Sequence, residues 1–309
     1  MMYRAYWAIP RTMKSRAGEQ VNTSFGMASM ILSILAKEEP DSLVFCFDEG
    51  SQTIRHKEYE EYKDGRSETP DDFYDQIPRV FELIDTLNFQ RVSDPQYEAD
   101  DLLGAYAKRA EEAGMRVTIV SGDRDVFQLA SENITVAIPH KGYQAAEYLD
   151  PKGVLNKYGI TPEQVVAYKG LCGDSSDNLP GVYGIGPKTA AELITKYNSL
   201  ENIYDHLSKI RPALAEKLSQ GKEQAFFCEK MARLHTDIPL PIPLDGISLK
   251  DLPVGNVFSL FSELNFSLLT KRFQSLLESP YGSHFRADEI KENTAVAAAS
   301  LQESQLSMF

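Results

Sequence analysis

Residues 97–125, YEADDLLGAYAKRAEEAGMRVTIVSGDRD, carry the reading that decides the fold. Within them, ADDLLGAYAKRAEEAG (99–114) sets apolar side chains at 102, 103, 106, 107 and 110, a helical period, and stops at Gly114, a residue suited to a helix C-cap. MRVTIVSGD (115–123) follows and reads as a buried strand ending in an acid. The same order occurs upstream, where TSFGMASMILSILAK (23–37) reads as helix and SLVFCFD (42–48) as a second buried strand. Strands alternating with helices predict a parallel α/β sheet, whose sites gather at the carboxyl ends of its strands. Asp48 and Asp123 stand at those ends.

Working outward, the acids fall in four short groups: Asp48; Glu98, Asp100 and Asp101; Asp123 and Asp125; Asp174 and Asp177. Two bare carboxylates about 4 Å apart repel by about 4 kcal/mol at an effective dielectric near 20, so gathering this many requires cations. Oxygen donors select hard divalent ions, Mg²⁺ or Mn²⁺, two or more of them here, and the chemistry such sites perform is hydrolysis or transfer at phosphate. Each group alone has a plainer reading. Glu98, Asp100 and Asp101 straddle a helix start, where the macrodipole favours negative charge, and Asp123 and Asp125 flank a turn loosened by Gly122 that capping would also explain. Asp174 and Asp177 are spaced to share a helix face, with Ser175, Ser176 and Asn178 able to orient them.

Residues 51–75, SQTIRHKEYEEYKDGRSETPDDFYD, are dense in charge and tyrosine and poor in aliphatics. They read as a helical excursion or arch over the site, with Arg55, Lys57, Lys63 and Arg66 available to an anion; a solvated charged helix is the plainer alternative. After about residue 160 the pattern turns helical through 235, and 256–278 carries a further pair of helices broken near Asn265. In GVYGIGPKTA (181–190) a glycine hairpin opens a helix at Pro187. Its backbone N–H groups and Lys188 suit a phosphate. From about 283 the chain is polar and alanine-rich and reads as disordered. The expected organisation is a core over 1–160, a helical region over 161–280 and a tail over 281–309.

A net charge of −13 weighs against a nucleic-acid partner only if read as a global average, since an acidic site and tail supply much of it. Three scattered cysteines, Cys46, Cys172 and Cys228, give neither a disulfide framework nor a zinc motif. With no apolar run of membrane-spanning length and no signal-peptide pattern, a cytoplasmic protein without a membrane partner is expected.

The runs YRAYWAIP (3–10), FCFDEG (45–50), TIRHKEYEEYKDGR (53–66), YEADDLLGAYAKRAEEAG (97–114), VSGDRDVFQL (120–129) and GDSSDNLPGVYGIGPKTAAELI (173–194) together resemble the 5′ nuclease (5′-3′ exonuclease) domain of bacterial DNA polymerase I, within the flap endonuclease superfamily. The resemblance extends in order from residue 3 to about 273. It implies a PIN-like α/β nuclease core with a helical arch, followed by a helix-hairpin-helix region that grips duplex DNA, and metal-dependent cleavage of DNA at 5′ flaps, nicks and 5′ ends. By matching position it assigns Asp48, Glu98, Asp100, Asp101, Asp123, Asp125, Asp174 and Asp177 to the metals and Lys63 and Arg66 to the arch near the scissile phosphate, and it matches Arg4 to a catalytic arginine after the family's first strand. DNA contacts would come from Arg55 and from the hairpin residues Gly184, Ile185, Gly186, Lys188 and Thr189, where the family often holds K⁺. A stand-alone monomeric enzyme is the expectation.

One departure stands at the start: family members open with an apolar strand ending in Asp-Gly, and here Met1-Met2-Tyr3-Arg4 leads directly into the tyrosine-arginine run. The first strand and its carboxylate are expected to be missing, which raises the alternative of a catalytically weak relative that binds branched DNA. A PIN-type ribonuclease is a further alternative, which the arch and glycine hairpin argue against. Finally, Gln305-Leu306-Ser307-Met308-Phe309 resembles the pentapeptide that docks in the bacterial sliding clamp, with Met308 as an adaptable substitute for leucine.

Overall fold

The computed structural model describes residues 1–309 except 51, 66–67, 250–251 and 287–309. The helix and strand expected around residues 97–125 form as α6 (Ala99–Glu112) and β3 (Val117–Val120), and the upstream pair forms as α2 (Asn22–Glu38) and β1 (Val44–Cys46). Around them lie α1 (Met2–Ala8), α3 (Ile54–Glu58), α4 (Asp71–Tyr74), α5 (Ile77–Thr86), β2 (Gln90–Val92), β4 (Ile134–His140) and β5 (Gly142–Leu149). The second half is helical: α7 (Pro151–Tyr158), α8 (Val165–Cys172), α9 (Pro187–Tyr197), α10 (Leu200–Asp205), α11 (Pro212–Gln220), α12 (Lys222–Ala232), α13 (Val254–Glu263) and α14 (Ser267–Glu278).

The expected single parallel sheet is corrected in its details. Among the described residues the strands form two hydrogen-bonded pieces: β1 pairs in parallel with β2, and β3, β4 and β5 form a second sheet in that order. In this second piece β3 and β4 are parallel but β4 and β5 are antiparallel, because Lys141 and Gly142, the latter at φ +78°, turn the chain back at once. So short a connection cannot make the crossover a parallel neighbour requires. Strand β5 is mostly exposed or half-buried, with Tyr143 and Leu149 its buried residues, as an edge strand with one wet face can be.

Packing joins the halves across the strand ends. One core runs from Ile119 and Val136 on the second sheet through Leu171 on α8 to Leu193 and Ile194 on α9. Helices α8 and α12 approach so closely that a Cβ on Gly170 would lie 2.8 Å from the Ala225 carbonyl oxygen. A second core gathers Ile31 and Leu35 of α2, Leu83 and Ile84 of α5, and Phe261 and Phe273 of α13 and α14. Asn265 takes φ +60° between those last two helices, as the break in the pattern predicts. The chain beyond 283 does not begin as irregular structure: Gly282–Arg286 form a 3₁₀ turn held by Phe285, buried against the second core and edge-on to Tyr281 at 5.2 Å. The rest of the tail, with Gln305–Phe309, lies outside the described residues.

Candidate metal centre

The acids expected at the site separate into three environments. Asp48, just past β1, accepts a hydrogen bond from the Ala99 N–H (2.9 Å) and so caps the start of α6. Asp100 in the first turn of α6 is pushed up to about 7, first by burial, then by the charges of Asp123 and Asp48. These three carboxylates therefore share one field, and it is under-compensated. Arg4 on α1 lies over the turn after β3, where a Cβ on Gly122 would meet its Nη1 at 2.4 Å. The lack of a side chain at Gly122 is what admits the guanidinium beside Asp123.

Asp125, Asp174 and Asp177 form the second environment, each offering an oxygen within 4.8 Å of the others. A hydrogen bond from the Asp125 N–H to Asp123 Oδ1 (3.0 Å) links the two groups through one tight turn. Asp174 is held in place by the Ser176 N–H (2.9 Å) and hydroxyl (2.5 Å). Between the groups sits Glu98, the N-cap of α6. Lys63 Nζ lies 2.5 Å from Glu98 Oε1, and the Tyr62 hydroxyl lies 3.2 Å from both Glu98 Oε2 and Asp177 Oδ2, donating its one proton to either. The Lys63 N–H adds a bond to the Asp177 carbonyl (3.2 Å), with Lys63 itself at φ +62°. The charged segment after β1 is thus clamped at Tyr62 and Lys63 onto Glu98 and Asp177, which fits the expectation of an arch over the site.

Asp101 stands apart. Fully buried, it takes two parallel bonds from Arg55 Nη1 and Nη2 (2.7 and 2.8 Å), the Glu98 N–H (3.0 Å) and the His235 N–H (2.8 Å). Burial works against its charge, yet the Arg55 guanidinium and these N–H groups hold it below the ordinary carboxylate range. The structure gives Asp101 a capping and ion-pairing role in place of the expected metal role. The same network corrects Arg55: its Nε and Nη2 also donate to the Met231 and Arg233 carbonyls (3.0 and 2.7 Å), and its 4% exposure leaves nothing for DNA. Helical spacing alone could not separate an inward arginine from the outward Lys57 three residues from Ile54.

At the glycine hairpin, Gly184 takes φ +74° and Pro187 opens α9 behind the N-cap Gly186, as expected. Gly184, Gly186 and Lys188 are exposed and Thr189 half-buried, whereas Ile185 is buried in the first core and anchors the hairpin from below. Lys217 was not foreseen; its Nζ donates to the Gly184 carbonyl (3.3 Å), adding a second cation to this edge. Arg66 lies outside the described residues. Lys169 was missed as well. It is a lone charge in VVAYKGLC, otherwise an uncharged helix, and that isolation was the available signal.

The 5′-3′ exonuclease N-terminal, resolvase-like domain matches residues 1–159, and the C-terminal SAM-fold domain of the same family matches residues 160–253. The chain belongs to the 5′-3′ exonuclease family. It is 38% identical over 273 residues to DNA polymerase I of Bacillus subtilis, and 41% identical over 280 residues to the thermostable DNA polymerase I of Thermus thermophilus. These alignments cover 88% and 91% of this chain but 31% and 32% of the polymerases, so the chain spans about a third of those relatives' length. The zinc-bound T5 5′-exonuclease superposes with a TM-score of 0.62 at 20% identity, over 82% of this chain and 90% of that one, a likeness of fold.

Proposed function

We propose that this chain is a divalent-metal-dependent, structure-specific 5′ nuclease that hydrolyses DNA phosphodiesters at 5′ flaps, nicks and 5′ ends. The observation that carries the reading is the convergence of Asp48, Asp100 and Asp123 with Asp125, Asp174 and Asp177 beneath the clamped Tyr62–Lys63 segment, in a member of this family. An all-carboxylate donor set with an under-compensated half fits hard divalent cations, and Mg²⁺ is the ion we assign. When bound, such ions supply an activated water and charge stabilisation on the leaving oxygen. Lys63, paired with Glu98, and Arg4, over Gly122, supply positive charge toward the phosphate. The exposed hairpin Gly184–Lys188, with Lys217, offers backbone N–H groups and ammonium charge to the duplex backbone, with K⁺ as an accessory ion there.

The decisive experiment is cleavage of a labelled 5′-flap duplex with Mg²⁺ against a chelator, with single-stranded RNA as the competing substrate. Metal-dependent release of the flap from DNA supports the reading, and flap binding without release assigns the chain to branched-DNA binding instead. We propose a cytoplasmic site of action and a monomeric enzyme, in keeping with a DNA substrate and with no helix among the described residues long and apolar enough to cross a membrane. The terminal peptide Gln305–Phe309 is proposed as a tether to the sliding clamp, raising the local concentration of enzyme at nicks. Deleting those five residues should remove clamp-stimulated cleavage and leave clamp-free turnover intact.

A further inference from the structure

Lys169 is a buried charge that the proposed reaction leaves unused. It is 7% exposed on α8, where Val165, Val166, Ala167 and Leu171 are buried around it. Its ammonium contacts Asp125 Oδ1 and lies 2.5 Å from Asp174 Oδ2, two of the three carboxylates whose oxygens converge within 4.8 Å. Asp125 Oδ1 accepts no well-formed hydrogen bond among the described residues, so the ammonium is what compensates it. The bridge is set among the converging donors, on a flexible four-carbon stem that can withdraw.

We propose that Lys169 is a built-in cation of the Asp125–Asp174–Asp177 subsite, holding these carboxylates together in the metal-free protein and competing with the divalent ion for them. A protonated amine offers no lone pair to a metal and repels it across a poorly screened interior, so the ion loads only as the ammonium moves aside. The two groups of acids then load unequally: the half around Asp100 takes its ion readily, and the half held by Lys169 takes its ion late. This rests on the reading of the acids as metal ligands, and the test separates the two.

Mn²⁺ binding to the free protein, followed by electron paramagnetic resonance, is the measurement. Lys169→Met should tighten the weaker Mn²⁺ site by roughly tenfold, while the chelated protein melts lower and recovers when Mn²⁺ is added. The tightening should vanish when Asp174→Asn is combined with it. Lys169→Arg keeps the charge in a forked, better-anchored form and is the variant most certain to fold; it should weaken the same site severalfold. An unchanged or weakened site in Lys169→Met, or an unchanged or tightened one in Lys169→Arg, overturns the proposal and leaves Lys169 a structural ion pair. Absence of any Mn²⁺ binding in the parent protein would instead overturn the metal assignment itself.

Discussion

Two carboxylates on either side of one tight turn meet opposite fates. Asp100 is pushed up to about 7 by burial and by Asp123 and Asp48, whereas Asp174, also penalised by burial, is held down at about 2 by the Lys169 ammonium and the Ser176 bonds. The residue type is the same and the groups are joined through the Asp125–Asp123 hydrogen bond. What differs is how closely the chain supplies its own counter-charge: the Lys169 ammonium touches Asp174, whereas at Asp100 burial and the neighbouring acids outweigh the charge of Lys63. Buried acids gathered for a metal therefore need not be equally demanding of it.

The largest expected effect tests whether the two halves form one metal centre. Asp123→Ala should bring flap cleavage to background while flap binding survives, because the hairpin and its lysines lie elsewhere; retained cleavage would sink the metal assignment. Arg55→Met should do the reverse of a pure active-site change. It strands the fully buried Asp101 carboxylate, and losing one partner of a buried pair costs about 3–5 kcal/mol. Denaturant unfolding of the chelated protein reads this directly, and a loss below about 1 kcal/mol would mean the pair behaves as a surface contact.

The strand-end acids were legible because each follows an apolar run, and the family runs named every one of them. What the pattern could not carry was direction. Asp100 and Asp101 are adjacent and equally acidic, and only the fold turns one toward Asp123 and the other toward Arg55. Ile185 sits in a loop motif yet points into the core, since a hairpin needs an anchor as well as a phosphate-binding edge. The antiparallel β5 went unread for a different reason. Gln144 and Glu147 interrupt its apolar residues, and the single residue between it and β4, Lys141, gives little local signal.

A pH series on the metal-stripped protein sharpens the contrast, because the two acids contribute with opposite sign. Asp100 binds its proton more tightly folded than unfolded, so its contribution falls as pH rises from about 4 to about 7 and stays low above that. Asp174 has a lowered value, so its contribution is full above the ordinary carboxylate range and is lost only as pH falls toward about 2. At pH 8 Asp100→Asn should therefore raise the melting temperature by about 2–4 °C and Asp174→Asn should lower it by a similar amount. Saturating Mg²⁺ should reverse the first effect, since the ion restores what the charge costs. Shifts of the same sign in both variants would erase the distinction between the halves.

The smallest effect tests whether the halves communicate at all. The Tyr62 hydroxyl stands between Glu98 and Asp177, 3.2 Å from each, with one proton to donate. It is 3% exposed, so water cannot replace it freely. Tyr62→Phe should cost about 1–2 kcal/mol in the chelated protein, the range for a hydrogen bond to a charged group less the gain from burying a ring. A double-mutant cycle between Glu98→Gln and Asp177→Asn should show coupling in the parent that falls toward zero in the Tyr62→Phe background. Lys63 complicates the cycle only on the Glu98 side, since its ammonium holds Oε1 while Tyr62 reaches Oε2. Coupling that persists without the hydroxyl would mean that the carboxylates sense each other directly through the site, and that the base of the arch merely rests on them.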